Sequence, residues 1–344
     1  MKNSILVVSA AFLFMMNGAV AQSVSNPAEY MGLFSTHHDA ISKDMWDYTS
    51  VVARSKGARK VENKRQDLLS TINSSRMEIK RMKGYEGDEG LRDTLVSYLN
   101  LMTIMLKEDY GKILDLEEIA EQSYDNMEAY LLAKEMASKK LDMGSAMMVN
   151  EQKRFATDHE ITLLDQEENK VSKKLERAGK AFANYNKVYL IFFKSYKQEA
   201  YLLDALNKGD VAAIEQNKNA LSQTSAEGLE KLSKVESLNN DATLKNSCKS
   251  MLNFFKDEAD VQMAVIVDFY LKKEKFEKIQ AAFESKKKSQ RTQEDVDQVN
   301  KAGNEFNAAV NKYNATNDAL NKNRAEQLKN WNKSVEKFLD KHAA

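Results

Sequence analysis

The sequence predicts an all-α protein: a duplicated up-and-down helical bundle, two four-helix units forming an elongated molecule. Three observations carry this reading. A single proline in 344 residues, few glycines and 30% charged side chains leave almost nothing to interrupt helices. Apolar residues recur at spacings of three and four along most of the chain. Residues 61–100 also occur twice. Val61-Glu62 is answered by Ile214-Glu215, Asp88 by Asp241 and Leu91-Arg92-Asp93-Thr94 by Leu244-Lys245-Asn246-Ser247; Ser97, Leu99 and Asn100 are answered by Ser250, Leu252 and Asn253. The spacing is 153 residues throughout, the mark of a repeated structural unit.

A chain of this length holds one large or two ordinary domains. Its 51 basic and 51 acidic residues balance, so no global charge draws it to nucleic acid or an anionic membrane. The start reads as an export signal, with Lys2, an apolar run over residues 5–16 and Ala19-Val20-Ala21 as a small-x-small cleavage site before Gln22. The alternative is an uncleaved anchor, but the run is short for a span and no later stretch reaches about 18 apolar residues. No cysteine follows the run to carry a lipid. The expected organisation is a signal peptide over 1–21, a first bundle repeat over 22–162 and a second over 163–344, in an exported chain without a transmembrane segment. Cys248 is alone, which precludes an intramolecular disulfide. Its counterpart Leu95 suggests a small buried hydrophobe, and no histidine lies nearby in sequence to support a reactive thiol.

Taken in order, Asn26-Pro27 opens the first helix. Tyr30, Phe34, His37, Ile41, Met45, Tyr48 and Val52 form one apolar face to about Arg54, where Ser55-Lys56-Gly57 breaks it. Val61, Leu68, Ile72, Ile79 and Met82 mark the second helix. It stops at Gly84, and Asp88 caps the third. That helix holds Leu91, Leu95, Tyr98, Met102, Met105 and Leu106 and is expected to continue through Gly111 to about Ala120. Ser123 or Asp125 caps a fourth helix with Tyr130, Ala133, Met136, Met143 and Met147 on one side.

A junction is expected at Thr162 to Asp165. The strongest stripe follows it, carried by Tyr189, Phe192, Phe193, Tyr196, Ala200, Leu203 and Leu206. Gly209 and Asp210 separate it from the repeat of the second helix, and Asn239-Asn240-Asp241 replaces the earlier glycine turn. The seventh helix runs from Leu244 to about Phe269, and Lys286 to Arg291 reads as a solvated turn. Thr292 with Asp295 makes a capping box for the last helix. Its heptad seam is Val299, Gly303, Phe306, Val310, Tyr313, Asn317, Leu320, Arg324, Gln327 and Trp331. The polar members suit either a coiled coil or a helix end projecting into solvent, and the lack of regular flanking charges favours the latter.

Chemistry-bearing patterns are absent. None of the four histidines has a glutamate three residues before it, and one cysteine rules out a Cys-x-x-Cys-His haem site. There is no HExxH, calcium loop, nucleophile elbow or phosphate-binding glycine loop. The glycine-rich turn at residues 84–90 becomes asparagine and threonine in its copy, so a turn role explains both. Glu117-Glu118 reads as solvated helix surface. His37 and His38 point about 100° apart on a helix, and His37 reads as a core histidine, a ligand role needing partners from other helices. Met136, Met143, Met147 and Met148 suit core packing, with soft-metal capture as the sharper alternative. No catalytic residue, cofactor or metal ligand is assigned.

Asn26-Pro27-Ala28-Glu29-Tyr30, Gly90-Leu91-Arg92-Asp93 and Gln152-Lys153-Arg154-Phe155-Ala156-Thr157-Asp158-His159-Glu160-Ile161 carry a likeness. The chain resembles an uncharacterised family of exported all-helical surface proteins of Bacteroidetes and spirochaetes. That resemblance implies a location at or outside the cell envelope and carries no catalytic residue. Asp93-Thr94-Leu95 also resembles the short O-glycosylation acceptor of exported Bacteroidetes proteins. The expectation is a non-enzymatic binding or structural module for an envelope or extracellular partner. The alternative is a small-ligand or metal carrier with a pocket between the halves, lined by Phe192, Phe193, Tyr196, Met143 and Met147. A third reading is an oligomer through the Val299 to Trp331 seam.

Overall fold

Asn26 accepts the Glu29 amide at 2.8 Å and Pro27 takes the first helical position, which starts α1 (Pro27–Gly32). The computed structural model describes residues 26–54, 58–109, 119–163 and 170–344. The expected export signal, the Ser55-Lys56-Gly57 break, the continuation through Gly111, Glu117-Glu118 and Asp165 lie outside the described residues. The described elements are helical, without a strand among them: α2 (Ser35–Ala53), α3 (Ala58–Arg81), α4 (Gly90–Ile104), α5 (Tyr124–Asp158), α6 (Lys170–Lys208), α7 (Val211–Ser233), α8 (Thr243–Asp257), α9 (Met263–Ser285) and α10 (Gln293–Ala343). A π turn over Met105–Asp109 prolongs α4, and another over Glu258–Gln262 joins α8 to α9. The single opening helix read from the sequence is thus two, parted at Leu33 and Phe34 just after Gly32.

Three of the caps expected from the sequence are in place, while Glu89 rather than Asp88 takes the N-cap position of α4. Ser123 accepts the Asn126 amide, Asp210 accepts that of Ala213, and Thr292 and Asp295 cap each other's backbone. Adding 153 to the bounds of α4 and its π turn gives the bounds of α8 and its π turn. The turns before them match as well. Glu86 and Gly87 have φ of 49° and 89°, and Asn239 and Asn240 have 50° and 60°. Asp88 Oδ1 accepts the Gly90 amide and Asp241 Oδ1 that of Thr243, each at 3.0 Å. Arg92 donates to the Met82 carbonyl and Lys245 to the Val235 carbonyl, again 153 residues on. Asparagine serves where glycine did because both tolerate positive φ.

Contacts divide the chain into two compact units. Unit 1 runs to Asn186 and includes Glu336–Ala344; unit 2 is Lys187–Val335. The division falls within α6 and α10, neither of which contains a proline to stop it. In unit 1, α2 through α5 run antiparallel in order. Thr71 reaches Asp44, Arg65 reaches the Leu106 carbonyl, and Tyr98 packs on Gly144. Tyr48, Phe34, Phe155, Leu68, Ile72 and Leu91 fill the core. In unit 2, α7 packs against α6 and α8, and α9 against α10, around Phe193, Phe255, Leu221 and Met251.

One close approach sets the α4–α5 spacing. A Cβ on Gly144 would stand 2.8 Å from a Tyr98 ring carbon and 2.9 Å from Leu101. Gly144→Val is expected to destabilise unit 1 by about 1–3 kcal/mol through overpacking. Gly303→Ala, whose Cβ meets only Phe276 at 3.4 Å, should instead stabilise by about 0.5–1 kcal/mol from helix propensity. Urea midpoints moving in opposite directions would verify both.

Candidate functional site

The concentration of chemistry lies inside unit 2. Glu199 projects from α6, Glu258 opens the second π turn and Arg324 comes from α10. Arg324 Nε donates to Glu199 Oε1 at 2.6 Å and Nη2 to Glu258 Oε1 at 2.5 Å; Nη1 donates to Asn321 at 2.6 Å. The guanidinium carbon lies 6.0 Å from the centre of the Phe254 ring. Both carboxylates are buried, and Glu258 Oε2 has no hydrogen-bonding partner. Burial and the neighbouring Glu199 carboxylate push Glu258 up to about 8, against the pull of Arg324. Near neutral pH the trio therefore holds one guanidinium, one carboxylate and one proton between the two acids. Such a set is electrically balanced, whereas two ionised acids beside one arginine would leave an uncompensated buried charge.

An aromatic cluster lies two helical turns along, since Phe192 precedes Glu199 by seven residues and Trp331 follows Arg324 by seven. Phe192 stacks on Trp331 at 4.5 Å and on Tyr196 at 5.4 Å, and lies 6.4 Å from Phe255. One helical turn before Glu199, buried Ser195 is bonded to Ser225 of α7 at 3.3 Å. The equivalent positions of unit 1 are apolar. At the spacing of 153, Glu258 answers Met105 and Ser225 answers Ile72. At a spacing one residue longer, which aligns the buried faces of α2 and α6, Glu199 answers Met45 and Ser195 answers Ile41. All four unit 1 residues are buried, so the same framework closes there without charge.

Arg324 belongs to the predicted seam, and its setting corrects the reading of that stretch as a helix end in solvent. The seam packs inside unit 2: Phe306 and Tyr313 stack on Phe269, Trp331 on Phe192, and Arg324 meets the two acids. Of the proposed pocket residues, Phe192 and Phe193 are enclosed by rings of their own unit and Tyr196 stands at its margin.

Met143 and Met147 stand elsewhere, on the outside of unit 1. The predicted inner face of α5 is turned by about one residue. Met127, Tyr130, Lys134, Ala137, Leu141, Gly144, Met148 and Gln152 face inward. Met136, Met143 and Met147, expected in the core, are 54%, 69% and 65% exposed, and Leu132 is 53% exposed. The small residues set this rotation, because Gly144 lets the Tyr98 ring lie against the helix as a larger side chain could not. The buried Lys134 is accommodated with its ammonium 5.3 Å from the centre of the Tyr130 ring.

The three segments behind the family resemblance meet at one end of unit 1. Asp88 accepts from Arg154 at 2.8 and 2.9 Å and pairs with His159 Nε2 at 3.2 Å, while Arg154 also holds Glu151 and Asp158. Tyr30, Tyr85, Phe155 and His159 form one ring cluster beside them. The Arg154 hydrogen bond, chiefly, holds the Asp88 carboxyl below the usual range. This network ties α1, the turn and the end of α5 together. His37 stands partly buried 3.9 Å from Glu78, and burial pulls its pKa down. Cys248 is buried, and burial pushes its thiol up to about 12, far from a reactive thiolate. Leu95 of the Asp93-Thr94-Leu95 motif is core. No group of three His, Cys, Asp or Glu suited to a metal occurs among the described residues, and none of their helices is long and apolar enough to cross a membrane. No family model matches the chain, and neither a curated protein nor a solved structure matches it.

Proposed function

We propose that this protein is an exported, non-enzymatic helical binding module of the cell envelope, and that the outer face of α5 is where it meets its partner. The carrying observation is the row Leu132, Met136, Met143 and Met147, four large apolar side chains on one helix face in contact with water. Covering one such side chain is worth roughly 1.5–3 kcal/mol before the costs of association. Methionine suits this use because its unbranched, polarizable side chain adapts to a partner's contours. Export rests on the charged start, apolar run and small-residue cleavage pattern, and the envelope on the family resemblance. The repeated framework supports the role of scaffold: two helix–turn–helix copies share caps, turn conformation and π turns, while α5 and the unit 2 interior are where the sequence departs from repetition.

A photo-crosslinking residue at Met143, in cells of the source organism, is expected to give discrete envelope adducts. The same residue at Lys301, on the solvent side of α10, should give none. Leu132→Glu with Met136→Glu should abolish the Met143 adducts without changing helicity. Absence of adducts at 143, or equal yields at both positions, would refute the α5 surface.

A further inference from the structure

The geometry points to a second device in unit 2: Glu199, Glu258 and Arg324 act as a proton-operated latch that holds α10 against α6 and α8. With one proton shared by the acids the trio is neutral and the latch is closed. When that proton leaves, two carboxylates face one guanidinium in a buried site beside the Phe254 ring. The excess charge is relieved when α10 lifts near Arg324 and admits water.

Four features of the molecule support it. First, Glu199 and Glu258 are both buried and hydrogen-bonded to each other, so a proton shared between them has a defined place to sit. Second, the charges that act most on Glu258 come from within the trio. The groups facing Glu258 are Glu199 from α6 and Arg324 from α10. Toward the outer side of the π turn, Ser222 and Lys218 of α7 act on Asp260, and Lys256 of α8 also pairs with Asp260. The start of α9 brings only apolar buried groups, Met263, Ile266 and Val267. Third, the π turn recurs in unit 1 with Met105 in place of Glu258, so the turn does not depend on the proton. α10 is therefore the element free to respond. Fourth, only unit 2 has the polar trio, which makes it an addition to a framework that packs without charge.

Trp331 reports on the latch, since it is buried against Phe192, and the only other tryptophan, Trp46, can be removed by Trp46→Phe. In the full-length W46F protein, raising the pH from about 5 to about 10 is expected to shift Trp331 emission to the red, with the change centred on the titration of the acid pair. Hydrogen exchange should lose protection over residues 320–331 in the same range while α3 and α4 keep theirs. E258Q, which is permanently uncharged, should remove both changes. The triple variant E199M/E258M/R324M should remove them too and serves if E258Q folds poorly. No red shift in W46F, a shift that persists in either variant, or protection lost across the whole chain at once would each overturn the latch.

Discussion

Arg324→Met is expected to be the most damaging single substitution in unit 2, costing about 3–5 kcal/mol, because it strands two buried carboxyls without their cation. The hydrogen bonds at 2.6 and 2.5 Å go with it, and so does the contact with Phe254. The triple variant E199M/E258M/R324M is expected to be far less harmful than R324M, ranging from neutral to about 1–4 kcal/mol more stable than the natural chain, since well-packed apolar residues often outdo a buried ion set. Met45 and Met105 already fill the corresponding places of unit 1. Chemical denaturation followed at Trp331 checks both variants. A triple variant as unstable as R324M would mean that the side chains act through shape rather than charge.

The framework was legible in the sequence because local rules set it. Thr292 and Asp295 announce their reciprocal cap, and Asp88 and Asp241 their helix starts. The seam through Phe306, Tyr313, Leu320 and Trp331 follows from a seven-residue rhythm. What one helix could not reveal was its partner. Arg324 is separated from Glu199 by 125 residues and from Glu258 by 66, and its own heptad says only that a charge intrudes. A signal did exist: at the repeat spacing, buried Met105 becomes Glu258 while Met102 and Leu106 on either side remain apolar as Phe255 and Ala259, and an acid at a core position requires a cation. The rotation of α5 was harder to foresee. Counting large apolar residues put Met136, Met143 and Met147 inside, whereas close packing against Tyr98 was decided by the smallest residue on the helix, Gly144. The Asp88 network was likewise legible only as a cap, since Arg154 and His159 reach it from across the unit.

The two units should respond to pH in opposite directions, and the signs follow from two carboxyls. Asp88 has its pKa lowered in the folded state, chiefly by Arg154, so its contribution is present above the unfolded value of about 3.9 and is lost as pH falls through the folded value. Unit 1 therefore weakens in acid. Glu258 has its pKa raised to about 8, so the folded state binds the proton more tightly than the unfolded chain does. Its contribution is greatest below the unfolded value of about 4.3 and declines as pH climbs to about 8. Unit 2 therefore weakens toward alkali and levels off above that range. Each unit contains one of the two tryptophans, so thermal melts of W331F report on unit 1 and those of W46F on unit 2. The W331F midpoint should fall below about pH 4 and the W46F midpoint between about pH 5 and 8. Asp88→Asn should flatten the first trend and E258Q the second. If the units melt as one, both flanks appear in a single curve, and E258Q should flatten only the alkaline side. An alkaline decline that E258Q leaves unchanged would place the responsible proton elsewhere.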